Sequence, residues 1–504
     1  MEFQVSLFQV LITFFFLVLF MMIGKSKARN LVPNLIPGPW KLPLIGNLHQ
    51  VAGSALPHRT LRDMAIKHGP LMHLQLGQVS TVVVSSPEMA KEILKTHDVV
   101  FAYRPFLVVA MITTYECTNI AFSPLGNYWR QLRKICNEEL LSAARVGSFR
   151  SIREEEVLNM VETMKANEGL PVNLSEKVFS ATYAITARAA FGKKCKDQGA
   201  FISTISEESK VNSGFFISEF FPSLKFLDVV SGLKQRVEKI HRESDRILGN
   251  IVNEHKGKTK TRSEDVGKED LVDVLLRIQE DDQFPLTDNN VRAIIFDIFS
   301  GGSETSATVV DWAMAEMIKN PTVMAKAQDE VREAFQGKGN VDETGIHQLK
   351  YLNCVIKETL RLHPVFPLLL PRECSQSCKV NGFDIPSKTR VIINAWAIGR
   401  DPNHWVEPEK FDPKRFMNNS VDFIGTNFEF IPFGAGRRIC PGILFALPNV
   451  ELPLAQLLFH FDWKLPSGMK EEDLVMTEVF GMSVRRKNEL ILLSAPYNAS
   501  INVA

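Results

Sequence analysis

Between Thr287 and Pro321 the chain has no proline and carries apolar residues at three- and four-residue spacing, so one helix is predicted from just after Thr287 to about Lys319. At 1.5 Å per residue it would run roughly 48 Å, the width of a whole domain. Its middle reads "IFSGGSETSATVV", and each of the adjacent glycines Gly301 and Gly302 weakens a helix by about 1 kcal/mol relative to alanine. A weakness at that point calls for something that must approach the backbone closely.

Helical spacing recurs in "YWRQLRKICNEELLS", "SIREEEVLNMVETMK", "GLKQRVEKIHRESDRILGNIVNEHK" and "VMAKAQDEVREAFQ", whereas "LMHLQLGQVSTVVVSS" alternates and is rich in β-branched residues, as a hairpin would be. The expected fold class is therefore mainly α with small β-sheets. The polar stretch "HKGKTKTRSEDVGKED" reads as a solvated loop inside one large globular domain, because helices of the same kind continue on both sides.

The N-terminus differs in kind. Val5 to Ile23 are 19 residues without a charge, about 28 Å as a helix, which matches the hydrocarbon thickness of a bilayer. Lys25, Lys27 and Arg29 follow, so the positive-inside bias leaves the rest of the chain in the cytosol. Residues 1–24 are expected to be a transmembrane anchor. The proline-rich "PNLIPGPWKLPLIGN" cannot be helical, and 25–45 are expected to be a stiff linker to a domain spanning 46–504. With 58 Lys and Arg against 57 Asp and Glu, the net charge of +1 gives no electrostatic footprint for nucleic acid. The seven cysteines are scattered, and Cys374 and Cys378, four apart, have no second pair to complete a metal site.

One of those cysteines, Cys440, stands in "FIPFGAGRRICPG" behind two glycines and two arginines. The segment "FGAGRRICPG" resembles the haem-binding loop of the cytochrome P450 superfamily, F-x-x-G-x-R-x-C-x-G, at Phe433, Gly436, Arg438, Cys440 and Gly442. "WRQLR", "GGSETS", "KETLR" and "FDPKRF" stand in the family's order, so the resemblance covers residues 31 to 500. In "PGPWKLPLIGNLHQ" and around Cys440 the chain is most similar to the plant microsomal branch that oxidises terpenoids and alkaloids.

The resemblance implies haem b, with Cys440 as the axial thiolate ligand of the iron. It implies Trp129, Arg133, Arg372 and Arg438 as partners of the haem carboxylates, Phe433 and Gly434 as parts of the cysteine loop, and backbone N–H groups of the glycine turn aimed at the sulfur. Glu358 and Arg361 share a helix face at i, i+3, and the resemblance adds Arg415 as the third member of a buried ion network. Gly301 and Gly302 would make room for dioxygen and substrate on a face continued by Thr305 and Val309, with Thr305 and Glu304 handling protons during O–O cleavage. Lys414 in "PKRF" departs from the commoner acidic residue, and Pro448 should kink the helix after Cys440.

Substrate contacts carried over from the family are Phe106, Val109, Gly301, Phe366, Leu368, Leu369 and Phe480, a heavily apolar set suited to area burial. A sesquiterpene or diterpene is expected in preference to a monoterpene indole alkaloid or another aromatic, because Glu116 and Glu219 are expected at solvent-exposed edges and leave no buried counter-ion for an amine. The chain has no flavin or nicotinamide fingerprint, so the expected electron donor is an NADPH-cytochrome P450 reductase, with O2 as co-substrate. The expected location is the endoplasmic reticulum membrane, single-pass. A haem-binding scaffold without turnover is the reading from another class; Glu304 and Thr305 speak against it.

Overall fold

The computed structural model describes residues 36–193, 198–212, 216–224, 226–230, 232–259, 269–281, 284–466, 468–481 and 483–497. The anchor expected at 1–24 and most of the polar loop expected before residue 269 lie outside these. The elements that position the site are, in chain order, β1 (Leu71–Leu76), β2 (Val79–Val84), α1 (Val108–Thr113), α2 (Asn127–Ile135), α3 (Leu174–Phe191), α4 (Ile217–Phe220), α5 (Leu233–Thr259), α6 (Asp288–Lys319), α7 (Lys350–Leu362), β3 (Arg372–Glu373), β4 (Arg390–Ile393) and α8 (Ile443–His460).

The long helix α6 begins and ends where its flanking residues dictate. The Thr287 hydroxyl accepts the Asn290 N–H at 3.2 Å and the Asn290 side-chain oxygen accepts the Thr287 N–H at 2.9 Å, a reciprocal cap. At the other end Pro321 starts a new helix, having no N–H with which to continue the old one. Packed against α3 on one side and α8 on the other, α6 is buried from Ile298 to Ile318 at every residue except Gly301 and Thr305. The two glycines serve different purposes. A Cβ on Gly302 would lie 2.9 Å from the Phe445 ring of α8, so this glycine lets two helices touch. One on Gly301 would meet nothing within 4 Å. The open face expected to include Gly302 and Val309 is thus narrower, since Val309 also belongs to the main apolar cluster.

Helix α8 runs unbroken through Pro448 and a second proline, Pro453, its Leu452, Leu454, Leu457 and Leu458 fully buried. Among the described residues it is the helix long and apolar enough to cross a membrane, yet 61% of it is buried in the core, which accounts for its composition.

The predicted hairpin forms, with Leu71 opposite Val84 through to Leu76 opposite Val79 and Gly77 at φ 60° in the turn. It extends to a four-stranded sheet in the order β1-β2-β4-β3, with β2 and β4 parallel. Residues 36–45, expected to be linker, lie on this sheet instead. Ile36 is buried, the His73 N–H donates to the Pro37 carbonyl at 2.8 Å, and a Cβ on Gly38 would come 2.0 Å from the His73 oxygen. The globular body therefore starts earlier than residue 46.

The ion network lies at the C-terminal end of α7. Arg361 donates to both Glu358 oxygens, at 2.7 and 2.8 Å, and Arg415 adds a bond to Glu358 at 2.9 Å. Both Glu358 and Arg361 are fully buried at the side chain. Arg361 also donates to the Gly399, Pro408 and Lys410 carbonyls, and the Asp412 N–H donates to Glu358 at 2.8 Å, so the pair fastens a long loop onto α7.

Candidate active site

The loop before α8 is shaped by glycines in the left-handed region, Gly434 at φ 72° and Gly436 at φ 70°. A Cβ on Gly436 would sit 2.2 Å from the Leu94 carbonyl oxygen, so no other residue fits. The Cys440 N–H donates to the Phe433 carbonyl at 3.0 Å, and Cys440 Sγ accepts the Gly442 N–H at 3.3 Å. The sulfur's backbone donor thus comes from beyond the cysteine, not from the preceding glycine turn as expected. Burial pushes the Cys440 thiol up, while the Gly442 N–H and the Arg133 guanidinium pull it down. Phe433 packs edge-on against Phe423, ring centres 5.3 Å apart, and fixes the start of the loop.

Arginines gather beside this loop. Arg438 donates to the carbonyls of Ala102 at 2.9 Å, Ile120 at 3.3 Å and Ser123 at 2.6 Å. Arg372, placed by the pairing of β3 with β4, reaches Asp98 at 3.4 Å and the Ala435 carbonyl at 3.0 Å. Arg133 on α2 donates to the Ile439 carbonyl at 2.6 Å. A further member, Arg104, was not expected; it donates to the carbonyls of Ala121 at 2.9 Å, Leu370 at 2.9 Å and Pro371 at 2.8 Å. Burial lowers these cations, and neighbouring arginines add to it at two of them: burial with Arg372 and Arg133 nearby holds Arg438 down to about 9, burial holds Arg372 at about 10, and burial with Arg438 and Arg372 holds Arg104 well below the usual range. The carboxylate that the structure sets among them is Asp98, which also faces Arg437 at 3.6 Å. Buried guanidiniums with so little counter-charge suit a bound molecule that carries carboxylates of its own. With a cysteine sulfur in the same loop, the donor set fits a metal-bearing group with two carboxylates, as haem b is.

Trp129 departs from expectation. Its one N–H goes to the Ile120 carbonyl at 3.2 Å, and its ring lies under the Arg438 guanidinium at 4.3 Å. It therefore props an arginine and has no donor left for a carboxylate.

Along α6, Gly301 and Thr305 are one turn apart and share the face that is not buried. Thr305 donates its hydroxyl to the Gly301 carbonyl at 2.5 Å. Glu304 points elsewhere: it is buried and accepts a hydrogen bond from the Ser483 hydroxyl, and its charge adds to the burial that raises Tyr183 of α3. The expected acid and alcohol thus stand on different faces of the helix.

The apolar residues expected to touch substrate are distributed over several clusters. Val109 belongs to one with Phe216 and Val237, Phe366 borders the main helical cluster, Leu368 the cluster under the hairpin, and Leu369 the cluster around β4. Phe480 stacks on His58, ring centres 6.3 Å apart. Phe106 is 50% exposed, so it lies at the surface and not in an interior wall. Glu219 of α4 corrects the expectation of a solvent-exposed edge. It accepts the Val108 N–H at 3.1 Å, Arg390 donates to its carbonyl at 3.2 Å, and burial pushes its carboxyl up to about 7. Glu116 is exposed, as expected.

Comparison with known proteins agrees with this geometry. The family profile "Cytochrome P450" matches residues 36–493. Premnaspirodiene oxygenase of Hyoscyamus muticus is 53% identical over 98% of this chain and 99% of its own length. Tabersonine 6,7-epoxidase isoform 1 of Catharanthus roseus is 53% identical over 99% of both. A solved zebra fish cytochrome P450 with progesterone superposes with a TM-score of 0.75, at 25% identity, over 88% of this chain and 100% of its own.

Proposed function

Because this chain belongs to the cytochrome P450 family, whose members are monooxygenases carrying a cysteine-ligated haem b, we propose that Cys440 is the axial ligand and that the enzyme oxygenates a hydrophobic plant metabolite of sesquiterpene or diterpene type. The observation that carries the ligand assignment is the cysteine loop set beside a cluster of arginines that has Asp98 as a carboxylate partner. Bound haem supplies oxygen activation at iron, which a thiolate ligand promotes by donating electron density.

The chain's own residues do the rest. The Gly442 N–H and Arg133 favour a charged Cys440 sulfur, and Arg104, Arg133, Arg372 and Arg438 orient the carboxylates while Phe433 and Gly434 keep the loop's shape. Gly301 leaves α6 open where dioxygen and substrate must approach, and the Thr305 hydroxyl lies at that opening. Since its proton is engaged by the Gly301 carbonyl, the Thr305 oxygen is free to accept a hydrogen bond from water. Glu304 is buried, and the Ser483 hydroxyl bonded to it offers it a route for protons. Electrons come from a separate reductase, for which we propose the NADPH-dependent flavoprotein of the same membrane, with residues 5–23 as the anchor in the endoplasmic reticulum.

Two observations bear on the substrate. Among similar relatives, one is named for premnaspirodiene and three for tabersonine. The apolar clusters around Val109, Phe366 and Leu369 favour a hydrocarbon skeleton, whereas Glu219 beside Val108 offers a counter-ion for an amine and supports an alkaloid as the second reading. Microsomes containing the full chain and a reductase, supplied with NADPH and both classes, are expected to oxygenate the terpenoid, with Glu219→Gln changing kcat/KM by less than about twofold. Oxygenation of the alkaloid alone, with KM raised about tenfold or more by Glu219→Gln, would establish the second reading in its place.

A further inference from the structure

Asp297 lies one turn before Gly301 on α6, so Asp297, Gly301 and Thr305 form a stripe at i, i+4, i+8 along one face. An aspartate is an unusual choice in the apolar run "AIIFDIF", and its carboxylate faces no arginine or lysine within ion-pair distance among the described residues. What it holds is backbone. One oxygen accepts the Asn119 side-chain N–H at 2.6 Å, and the other accepts the N–H groups of Ile120 at 2.9 Å and Ala121 at 3.1 Å. Asn119 is itself fully buried and continues the grip by accepting the Phe122 N–H at 3.1 Å.

The same short segment turns its carbonyls to the arginine cluster. Ile120 O receives Trp129 at 3.2 Å and Arg438 at 3.3 Å, Ala121 O receives Arg104 at 2.9 Å, and Ser123 O receives Arg438 at 2.6 Å. Ile120 and Ala121 are thus each held at the N–H by Asp297 and each hold a side chain of the arginine cluster at the carbonyl. We infer that Asp297 is a positioning residue for the haem carboxylate pocket, acting through Asn119–Ala121 to fix Arg104, Arg438 and Trp129. Aspartate suits the task because an ionised carboxylate accepts several donors at once, whereas an amide in its place would present N–H to N–H on one side. The inference also gives α6 a second link to the site, joining the helix that lines the oxygen-binding side to the carboxylate partners.

This inference rests on the proposal that the arginines hold the haem carboxylates, and its test separates the two. Full-length protein in detergent, once shown to give the thiolate-type spectrum of the reduced carbon monoxide complex, is mixed with an excess of haem-free globin and the rate of haem transfer is followed. Asp297→Asn is expected to raise that rate on the order of tenfold. Because Asp297 acts through Arg438 without touching it, Asp297→Asn and Arg438→Lys are expected to be non-additive, the double variant losing haem little faster than the faster single one. If Asp297→Asn does not fold, Asn119→Ser, which removes one of the three bonds, takes its place with an expected rise of about threefold and the same non-additivity. An unchanged transfer rate, or rates that multiply independently with Arg438→Lys, overturns the inference while leaving Cys440 and the wild-type spectrum untouched.

Discussion

Cys440→Ser protein is expected to lose the thiolate-type absorption of the reduced carbon monoxide complex and all NADPH-dependent oxygenation. A serine hydroxyl is smaller than a thiol and would fit between Phe433 and Gly442, so the loop and its N–H···Sγ geometry give no reason for misfolding. What changes is chemical. The Gly442 N–H and the Arg133 guanidinium offset part of the burial that raises the Cys440 thiol, and the thiolate they favour would donate electron density to iron; an alcohol of far higher pKa stays neutral in the same place. Residual haem held by the arginine cluster would absorb like a complex with a neutral ligand. An unaltered spectrum in the variant would remove Cys440 from the site.

The second large effect is expected at Glu358→Ala. The wild-type carboxylate joins Arg361, Arg415 and the Asp412 N–H in an environment where its side chain is wholly buried. Truncation leaves Arg361 as a buried cation whose remaining partners are three carbonyls, which costs about 3–5 kcal/mol. That is comparable with a large part of a domain's total stability of about 5–15 kcal/mol. Microsomes are expected to contain little or no haem-bound protein, with the remainder degraded. Recovery of Glu358→Ala at wild-type level with an unchanged unfolding temperature would show that the network is not structural. The sign is distinctive: Glu358 touches neither Cys440 nor the open face of α6, so any surviving protein should keep the wild-type spectrum, in contrast to Cys440→Ser.

What could be read in the sequence was what depends on near neighbours. The ends of α6 follow from Thr287 with Asn290 and from Pro321, the hairpin from its alternation, and the Glu358–Arg361 pair from i, i+3 spacing, all within a few residues. The cysteine loop was legible for the same reason, since its two left-handed glycines and Arg438 lie within six residues of Cys440. What escaped depends on distant partners. Arg104 gains its role from Leu370 and Pro371, more than 260 residues away, and stood in the sequence merely as the edge of an apolar loop. An isolated arginine beside an apolar run was the available signal, for such a charge needs partners. Gly301 and Gly302 looked equivalent as neighbours, and only the position of Phe445 on α8 tells them apart. Which acceptor receives the Trp129 indole N–H was decided by the fold of residues 119–123, held in turn by Asp297. Glu219 was misjudged because its burial comes from α1 and β4, through Val108 and Arg390.

If this chain places oxygen from O2 into a hydrophobic molecule with electrons delivered by a separate reductase, the product's new oxygen comes from the gas. Microsomes bearing the full-length protein, with and without added reductase, are supplied with NADPH, a sesquiterpene or diterpene panel and isotopically labelled oxygen gas, and products are weighed by mass spectrometry. The expected product carries one atom of label per oxygenation event and forms only when reductase and NADPH are both present. Label from water in place of the gas, or consumption of NADPH without any labelled product across terpenoids and alkaloids alike, would contradict it.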